Sequence, residues 1–183
     1  MKKKITLLGD SIRMIGYGPK VPEMLGDNYE VFQPNDNCRF AKYTLRGLFD
    51  WNDSMKDSDV IHWNNGLWDT TECMGDGIFT NEEEYVENML RIARLLKQIT
   101  PNVIFATTTP THPEYPYNHN DKIDRYNEIL VPKLKEMGVT INDLNAAIKE
   151  NIPEYICEDQ IHLSEKGAQV AAELVVKVIK QFD

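Results

Sequence analysis

The chain has 183 residues, enough for one substantial core, and no Gly/Ser- or Pro-rich linker divides it, so residues 1–183 are expected to form a single domain. With 20 Lys+Arg against 29 Asp+Glu, the net charge of -9 and pI near 5.0 create a field that repels phosphate backbones and anionic membrane surfaces, which argues against nucleic-acid and membrane partners. The apolar run after Lys2-Lys3-Lys4 is too short for a signal peptide, and no stretch approaches the roughly 20 apolar residues of a membrane span; the widely spaced Cys38, Cys73 and Cys157 hold no C-x-x-C pair, so a reducing, cytoplasmic location is expected.

The first element is the apolar run from Ile5 to Leu8, which suits a strand buried on both faces of a parallel sheet and stops at Gly9-Asp10-Ser11. A short helix ending at Gly26 leads to a second strand, Tyr29 to Phe32, then to a turn-rich loop from Gln33 to Arg39. Leu45, Leu48 and Phe49 give the next segment a helical stripe, and a third strand, Asp59 to Trp63, runs into Asn64-Asn65-Gly66-Leu67-Trp68-Asp69. Thr80 starts a clear helix: Thr-Asn-Glu-Glu is a capping-box pattern, and Val86, Met89, Leu90, Ala93 and Leu96 recur at helical spacing.

Pro101 ends that helix before a fourth strand, Val103 to Thr107, which passes into a loop with three prolines from Pro110 to His119. Ile123, Tyr126, Ile129, Leu130 and Leu134 mark another amphipathic helix, with a kink expected at Pro132 and a stop at Gly138. A short fifth strand, Val139 to Ile141, a brief helix around Ala146 to Lys149, and a last helix capped by Ser164 complete the chain. Strands alternating with helices read as βα units, an α/β fold with a parallel sheet between two helical layers. In such a fold the loops after the strands open onto one edge, where ligands bind.

Two motifs carry chemistry. Glycine permits a sharp turn at the end of the first strand, which leaves the Ser11 hydroxyl exposed and its backbone N–H aimed outward with the unpaired donors of a first helical turn. Just before the last helix, Asp159 and His162 are three residues apart; through one turn the carboxylate can accept from Nδ1 and leave Nε2 free to take a proton from Ser11. A serine hydroxyl needs such a base because it is a poor nucleophile at neutral pH.

With these residues the sequence resembles the SGNH (GDSL-type) hydrolases. Gly9-Asp10-Ser11 is similar to that family's first block and Asp159-Gln160-Ile161-His162 to its last, and the resemblance spans essentially the whole chain. It implies a three-layer α/β/α flavodoxin-like fold with a five-stranded parallel sheet in the order 2-1-3-4-5. It also implies esterase or acylhydrolase chemistry on a small-molecule ester, with no metal or other cofactor and with a triad of Ser11, His162 and Asp159. The family's oxyanion hole uses the serine N–H, a glycine N–H of the second block and an asparagine amide of the third. The second block falls in Asn35 to Arg39, which lacks glycine, so the N–H of Cys38 or Arg39 stands in. The third aligns at Gly66-Leu67-Trp68-Asp69, with tryptophan where the amide is expected; Asn64 or Asn65 would supply it, Asn64 preferred because a strand end is firmly held.

Asp10 and the aromatic Trp68, Tyr115 and Tyr117 are the expected substrate contacts. His62, inside a strand, is expected as a satisfied core side chain. His112, Glu114, His119 and Asp121 lack ligand spacing for a metal. The expected activity is hydrolysis of small acyl esters, acetyl esters of carbohydrate among them. Two rival readings are a non-catalytic flavodoxin-like ligand-binding protein with a degenerate oxyanion hole and a thiol-dependent enzyme using Cys38.

Overall fold

The centre of the molecule, in a computed structural model that describes residues 1–183, is a parallel sheet of β1 (Lys3–Leu8), β2 (Tyr29–Phe32), β3 (Val60–Trp63), β4 (Val103–Ala106) and β5 (Thr140–Asn142). The strand order is β2-β1-β3-β4-β5, the flavodoxin-like arrangement. All four residues of β3 and of β4 are buried, which explains why their sequences are short continuous apolar runs and not alternating ones.

Helices α2 (Ala41–Met55), α3 (Glu82–Ile99) and α4 (Asn120–Glu136) cover the face bearing Leu8, Ile61, Trp63 and Phe105. The other face, with Ile5, Leu7, Val60 and Ile104, packs against α1 (Val21–Leu25), α5 (Leu144–Lys149), α6 (Ile152–Tyr155), α7 (Glu165–Ile179) and a π-helical turn at Ile12–Tyr17. The strands alternate their side chains between two separate apolar cores, so a mistake of one residue in register would exchange the cores.

At two points, the cap of α3 and the place of Phe49, the structure differs from the expectation. The residue that caps α3 is Asn81, whose Oδ1 accepts the Glu84 N–H at 3.0 Å, while Thr80 is buried one step earlier with its carbonyl accepting the Tyr126 hydroxyl. Helix α4 continues through Pro132 to Glu136; the Glu128 carbonyl that proline leaves without a donor belongs to an exposed residue, where water can serve it. Phe49 lies outside the core at 79% exposure, beneath the Arg46 guanidinium. The π-helical turn directly after Ser11 and the short α6 have no amphipathic period long enough to read.

Because β1, β3 and β4 are parallel neighbours, Leu8 pairs with Trp63 and Trp63 with Phe105, so the next residues of all three chains emerge at one edge. That edge gathers Gly9-Asp10-Ser11, Asn64-Asn65 and Thr107 to Thr109.

Candidate active site

Ser11 stands at the N-terminus of the π-helical turn, with φ -61° and ψ -27°, partly exposed. Its hydroxyl makes no hydrogen bond within the chain, and its backbone N–H is unpaired. The turn behind it is fixed by the Asp10 carbonyl, which accepts the Arg13 and Met14 N–H groups at 3.1 and 2.9 Å. Gly9 is required by approach: a Cβ there would stand 2.1 Å from Asn64 Oδ1, so a side chain would push that amide away from the serine.

The Asp159–His162 pair is built locally, in the loop between α6 and α7. An Ile156–Leu163 bridge closes the loop, and the Cys157 N–H donates to the His162 carbonyl at 2.8 Å. Gln160 takes the left-handed conformation, φ 70°, and so turns the chain back on itself. As a result His162 Nδ1 lies 2.6 Å from Asp159 Oδ2. Asp159 Oδ1 accepts the His162 and Ile161 N–H groups at 2.9 and 3.0 Å and the Cys157 thiol at 3.1 Å. Partial burial would raise the Asp159 pKa, but the His162 N–H, the His162 ring, the Ile161 N–H and the Cys157 thiol outweigh it and hold the carboxyl well below its ordinary range. Asp159 therefore stays ionised, fixes the tautomer with the proton on Nδ1, and leaves Nε2 as the acceptor.

Two contacts tie this loop to the rest of the edge. The His112 N–H, from the loop after β4, donates to the Gln160 carbonyl at 2.8 Å, and Leu163 packs over Gly16 of the π-helical turn. The base loop is thereby anchored both to β4's loop and to the helix that begins at Ser11.

Beneath Ser11 the chemistry is buried. Asn64, 4% exposed, donates from Nδ2 to Asp10 Oδ1 at 2.8 Å and accepts the Tyr17 hydroxyl on Oδ1 at 2.7 Å. Asp10 is 1% exposed; its Oδ1 also accepts the Ile12 N–H, while Oδ2 has no partner. Burial pushes its pKa up to about 6, against the lowering effects of Asn64, the Ile12 N–H, Arg13 and His162.

No protein-family model matches the chain. A GDSL esterase/lipase of Oryza sativa subsp. japonica is 28% identical to it over 177 residues, covering 80% of this chain and 68% of that protein. A GDSL esterase/lipase of Arabidopsis thaliana is 24% identical over 213 aligned residues, covering 100% and 80%. Over most of its length the chain is therefore similar to GDSL-type ester hydrolases. Solved structures agree on the fold: the lipase/acylhydrolase of Enterococcus faecalis superposes with a TM-score of 0.82 at 18% identity over 98% of this chain and 96% of that one. An acetylxylan esterase of Geobacillus stearothermophilus gives 0.78 at 16% identity over 97% and 94%.

At this edge several expected donors are otherwise engaged. The Cys38 N–H donates to the Gly9 carbonyl at 3.1 Å and the Arg39 N–H to Asn37 Oδ1 at 2.8 Å, so neither is free for an oxyanion. Arg39 itself takes φ 48°, the conformation for which glycine is the ordinary choice. Asn65 is fully buried and donates one Nδ2 N–H to the Arg39 carbonyl, which clamps the loop before α2. The Cys38 thiol is buried beside the Gly9 N–H, and burial pushes its pKa up to about 11, the opposite of an activated thiolate. Asp10 is too buried to touch substrate; it holds the turn and the Asn64 amide.

Trp68 and Tyr117 do face solvent, 42% and 48% exposed, and Tyr115 packs edge-on against Tyr117 with centroids 5.7 Å apart. Tyr115's pKa is raised first by burial and then by the charge of Asp159, which puts that ring near the base loop. His62 is buried as expected, with burial alone pushing its pKa down to about 3.

Two contributors are missed by sequence reasoning. Arg13, 3% exposed, reaches from the π-helical turn to the Pro34, Gly9 and Asp36 carbonyls at 3.1, 3.2 and 2.6 Å; a lone cation inside Ser-Ile-Arg-Met-Ile was its signal. At the first turn of α2 the Ala41 N–H is taken by Asp69, whereas the Lys42 N–H is unpaired, and Asp69 is close enough for the charge of Asp10 to act on it. Only the three-dimensional path of the chain reveals the second.

Proposed function

We propose that the protein is a serine esterase in which Ser11 attacks an ester carbonyl and His162 and Asp159 act as base and orienting acid. The observation that carries this reading is the 2.6 Å Asp159–His162 pair, held by a loop that packs on the turn whose first residue is a serine with a free hydroxyl. Ser11 Oγ bonds to the carbonyl carbon as its proton passes to His162 Nε2. The negative charge that develops on the carbonyl oxygen is accepted by the Ser11 N–H and the Asn64 amide. When the tetrahedral species collapses, the alcohol leaves with the proton from His162 and the acyl group remains on Ser11 Oγ. Water then gives a proton to His162 Nε2 and attacks the acyl carbon, and release of the acid restores the serine.

Oγ and Nε2 share no hydrogen bond before substrate arrives; such contacts commonly tighten only in the complex. Small acyl groups, including acetyl esters on carbohydrate, suit this edge. The solved acetylxylan esterase shares the fold, and Trp68, Tyr115 and Tyr117 offer rings on which a sugar could stack. An apolar groove lined by Leu48, Phe49 and Leu95, between the C-terminal ends of α2 and α3, lies at the other edge of the sheet.

Hydrolysis of p-nitrophenyl acetate tests the reading. Ser11→Ala should lower kcat by roughly 10⁴-fold or more, and His162→Ala by a similar factor. Equal rates for wild type and Ser11→Ala would remove the serine from the mechanism. The occupied Cys38 and Arg39 donors favour the alternative of a ligand-binding protein; failure to react with a fluorophosphonate, with saccharide still bound at this edge, would select it.

A further inference from the structure

A chain of hydrogen bonds runs through the core from β5 to the residue under Ser11. Asn142 Nδ2 lies 3.2 Å from His62 Nε2, His62 Nδ1 lies 3.4 Å from the Tyr17 hydroxyl, Tyr17 reaches Asn64 Oδ1 at 2.7 Å, and Asn64 Nδ2 reaches Asp10 Oδ1 at 2.8 Å. Tyr17 and His62 are fully buried and meet edge to face, with centroids 5.5 Å apart and planes at 83°.

The direction of every bond is fixed by chemistry. An ionised Asp10 can only accept, so Asn64 must present Nδ2 to it and Oδ1 to Tyr17. Tyr17 therefore donates its one proton to Asn64, and its oxygen is left to accept from His62 Nδ1. A neutral imidazole carries one N–H; with that proton on Nδ1, Nε2 must accept, and the Asn142 Nδ2 group is the donor opposite it. Burial keeps both rings uncharged, depressing His62 and raising Tyr17. All four bonds point toward Asp10, the arrangement in which each bond polarises the next.

Asn64 uses one N–H of Nδ2 on Asp10, and the second has no partner in the chain. We propose that Tyr17, oriented by His62 and Asn142, is a positioning residue that locks the Asn64 carboxamide so that this second N–H serves the oxyanion formed at Ser11. The proposal rests on the esterase reading and on Asn64 as the donor. Asp10 fixes the amide from one side and Tyr17 from the other; without the hydroxyl, rotation about the amide's χ2 is opposed on one side only.

The test is a double-mutant cycle in the full chain, read by p-nitrophenyl acetate kinetics. Tyr17→Phe removes only the hydroxyl and should lower kcat ~10-fold or more, short of the roughly 10²–10³-fold cost of losing an oxyanion donor outright. KM should stay within twofold and the acid limb of the pH profile should not move, because His162 is untouched. In an Asn64→Ala background Tyr17→Phe should cause no further loss of kcat. Equal losses in the two backgrounds, or a loss confined to KM, would overturn the positioning role. A readout independent of catalysis accompanies it. In wild type, ¹⁵N NMR should show His62 as the Nδ1–H tautomer, without titration from pH 5 to 9; an Nε2–H tautomer overturns the chain even if every variant is active. An undiminished rate in Ser11→Ala would instead strike the esterase reading, and the tautomer would then decide the chain alone.

Discussion

The two halves of the candidate site are built in opposite ways. Asp159 and His162 belong to one short loop, with side chains 48% and 28% exposed, and every group that orients Asp159 lies between residues 157 and 162. Asp10, Asn64, Tyr17 and His62 come from the ends or interiors of β1, β3 and the π-helical turn, are all at most 4% exposed, and hold one another across up to 54 residues of sequence. The exposed half can lose its chemistry while the protein stays folded. In the buried half, chemistry and stability rest on the same bonds.

Asp159→Asn breaks the comparison most sharply. It presents an amide to Nδ1, disfavours the required tautomer, and should lower kcat by roughly 10⁴-fold on p-nitrophenyl acetate. Because the residue sits in an exposed loop outside both cores and asparagine can keep the Oδ1 bonds, the midpoint of urea unfolding should fall modestly while the protein stays folded. A loss of rate accompanied by an equally severe loss of fold would show that the loop is structural first.

Asn64→Ala should act on both quantities at once. Loss of the amide donor is expected to lower kcat by roughly 10²–10³-fold. It also leaves the Tyr17 hydroxyl without its acceptor and Asp10 with only the Ile12 N–H, a cost of about 1–3 kcal/mol in unfolding free energy. Full activity with reduced stability would make Asn64 a core residue and transfer the oxyanion to other donors, with the Lys42 N–H at the start of α2 the first to examine.

The same contrast explains what could be read in advance. An i, i+3 acid and histidine before a capped helix is a local pattern, and the Asp159–His162 hydrogen bond follows from a single turn of chain. The sheet order was readable because apolar runs alternate with amphipathic helices, and the family resemblance arranged them. The oxyanion side was not, because which N–H groups remain free depends on how each loop folds and on what it meets. Cys38 loses its donor to Gly9, and Arg39 to Asn37. His62 could be recognised as a buried histidine, yet nothing in Val-Ile-His-Trp indicates that Tyr17 and Asn142 stand on its two nitrogens.

The smallest effect concerns Asp10 and sharpens the comparison through pH. Its pKa, about 6 in the folded protein against 3.8 for an ordinary aspartate, means that the native state holds the proton more tightly than the unfolded state. Between these values the folded protein binds more protons, so Asp10's contribution to stability falls as pH rises from about 4 to about 6 and remains low above that. Asp159, with a depressed pKa, has the opposite sign: its stabilisation is present above the usual carboxyl range and is lost on stronger acidification. Asp10→Asn removes the buried charge but gives up its charge-assisted bonds from Ile12 and Asn64. A net gain of about 1 kcal/mol is therefore expected at neutral pH. The gain should shrink as pH falls from about 6 toward 4, because the native wild type takes up the proton there while its unfolded state is still largely ionised. Urea unfolding of wild type and Asp10→Asn at pH 4, 5, 6 and 7 measures the difference curve. If that curve is flat, the Asp10 carboxylate is not disfavoured by burial, and the contrast between a solvated acid–base half and a desolvated donor half loses its electrostatic basis.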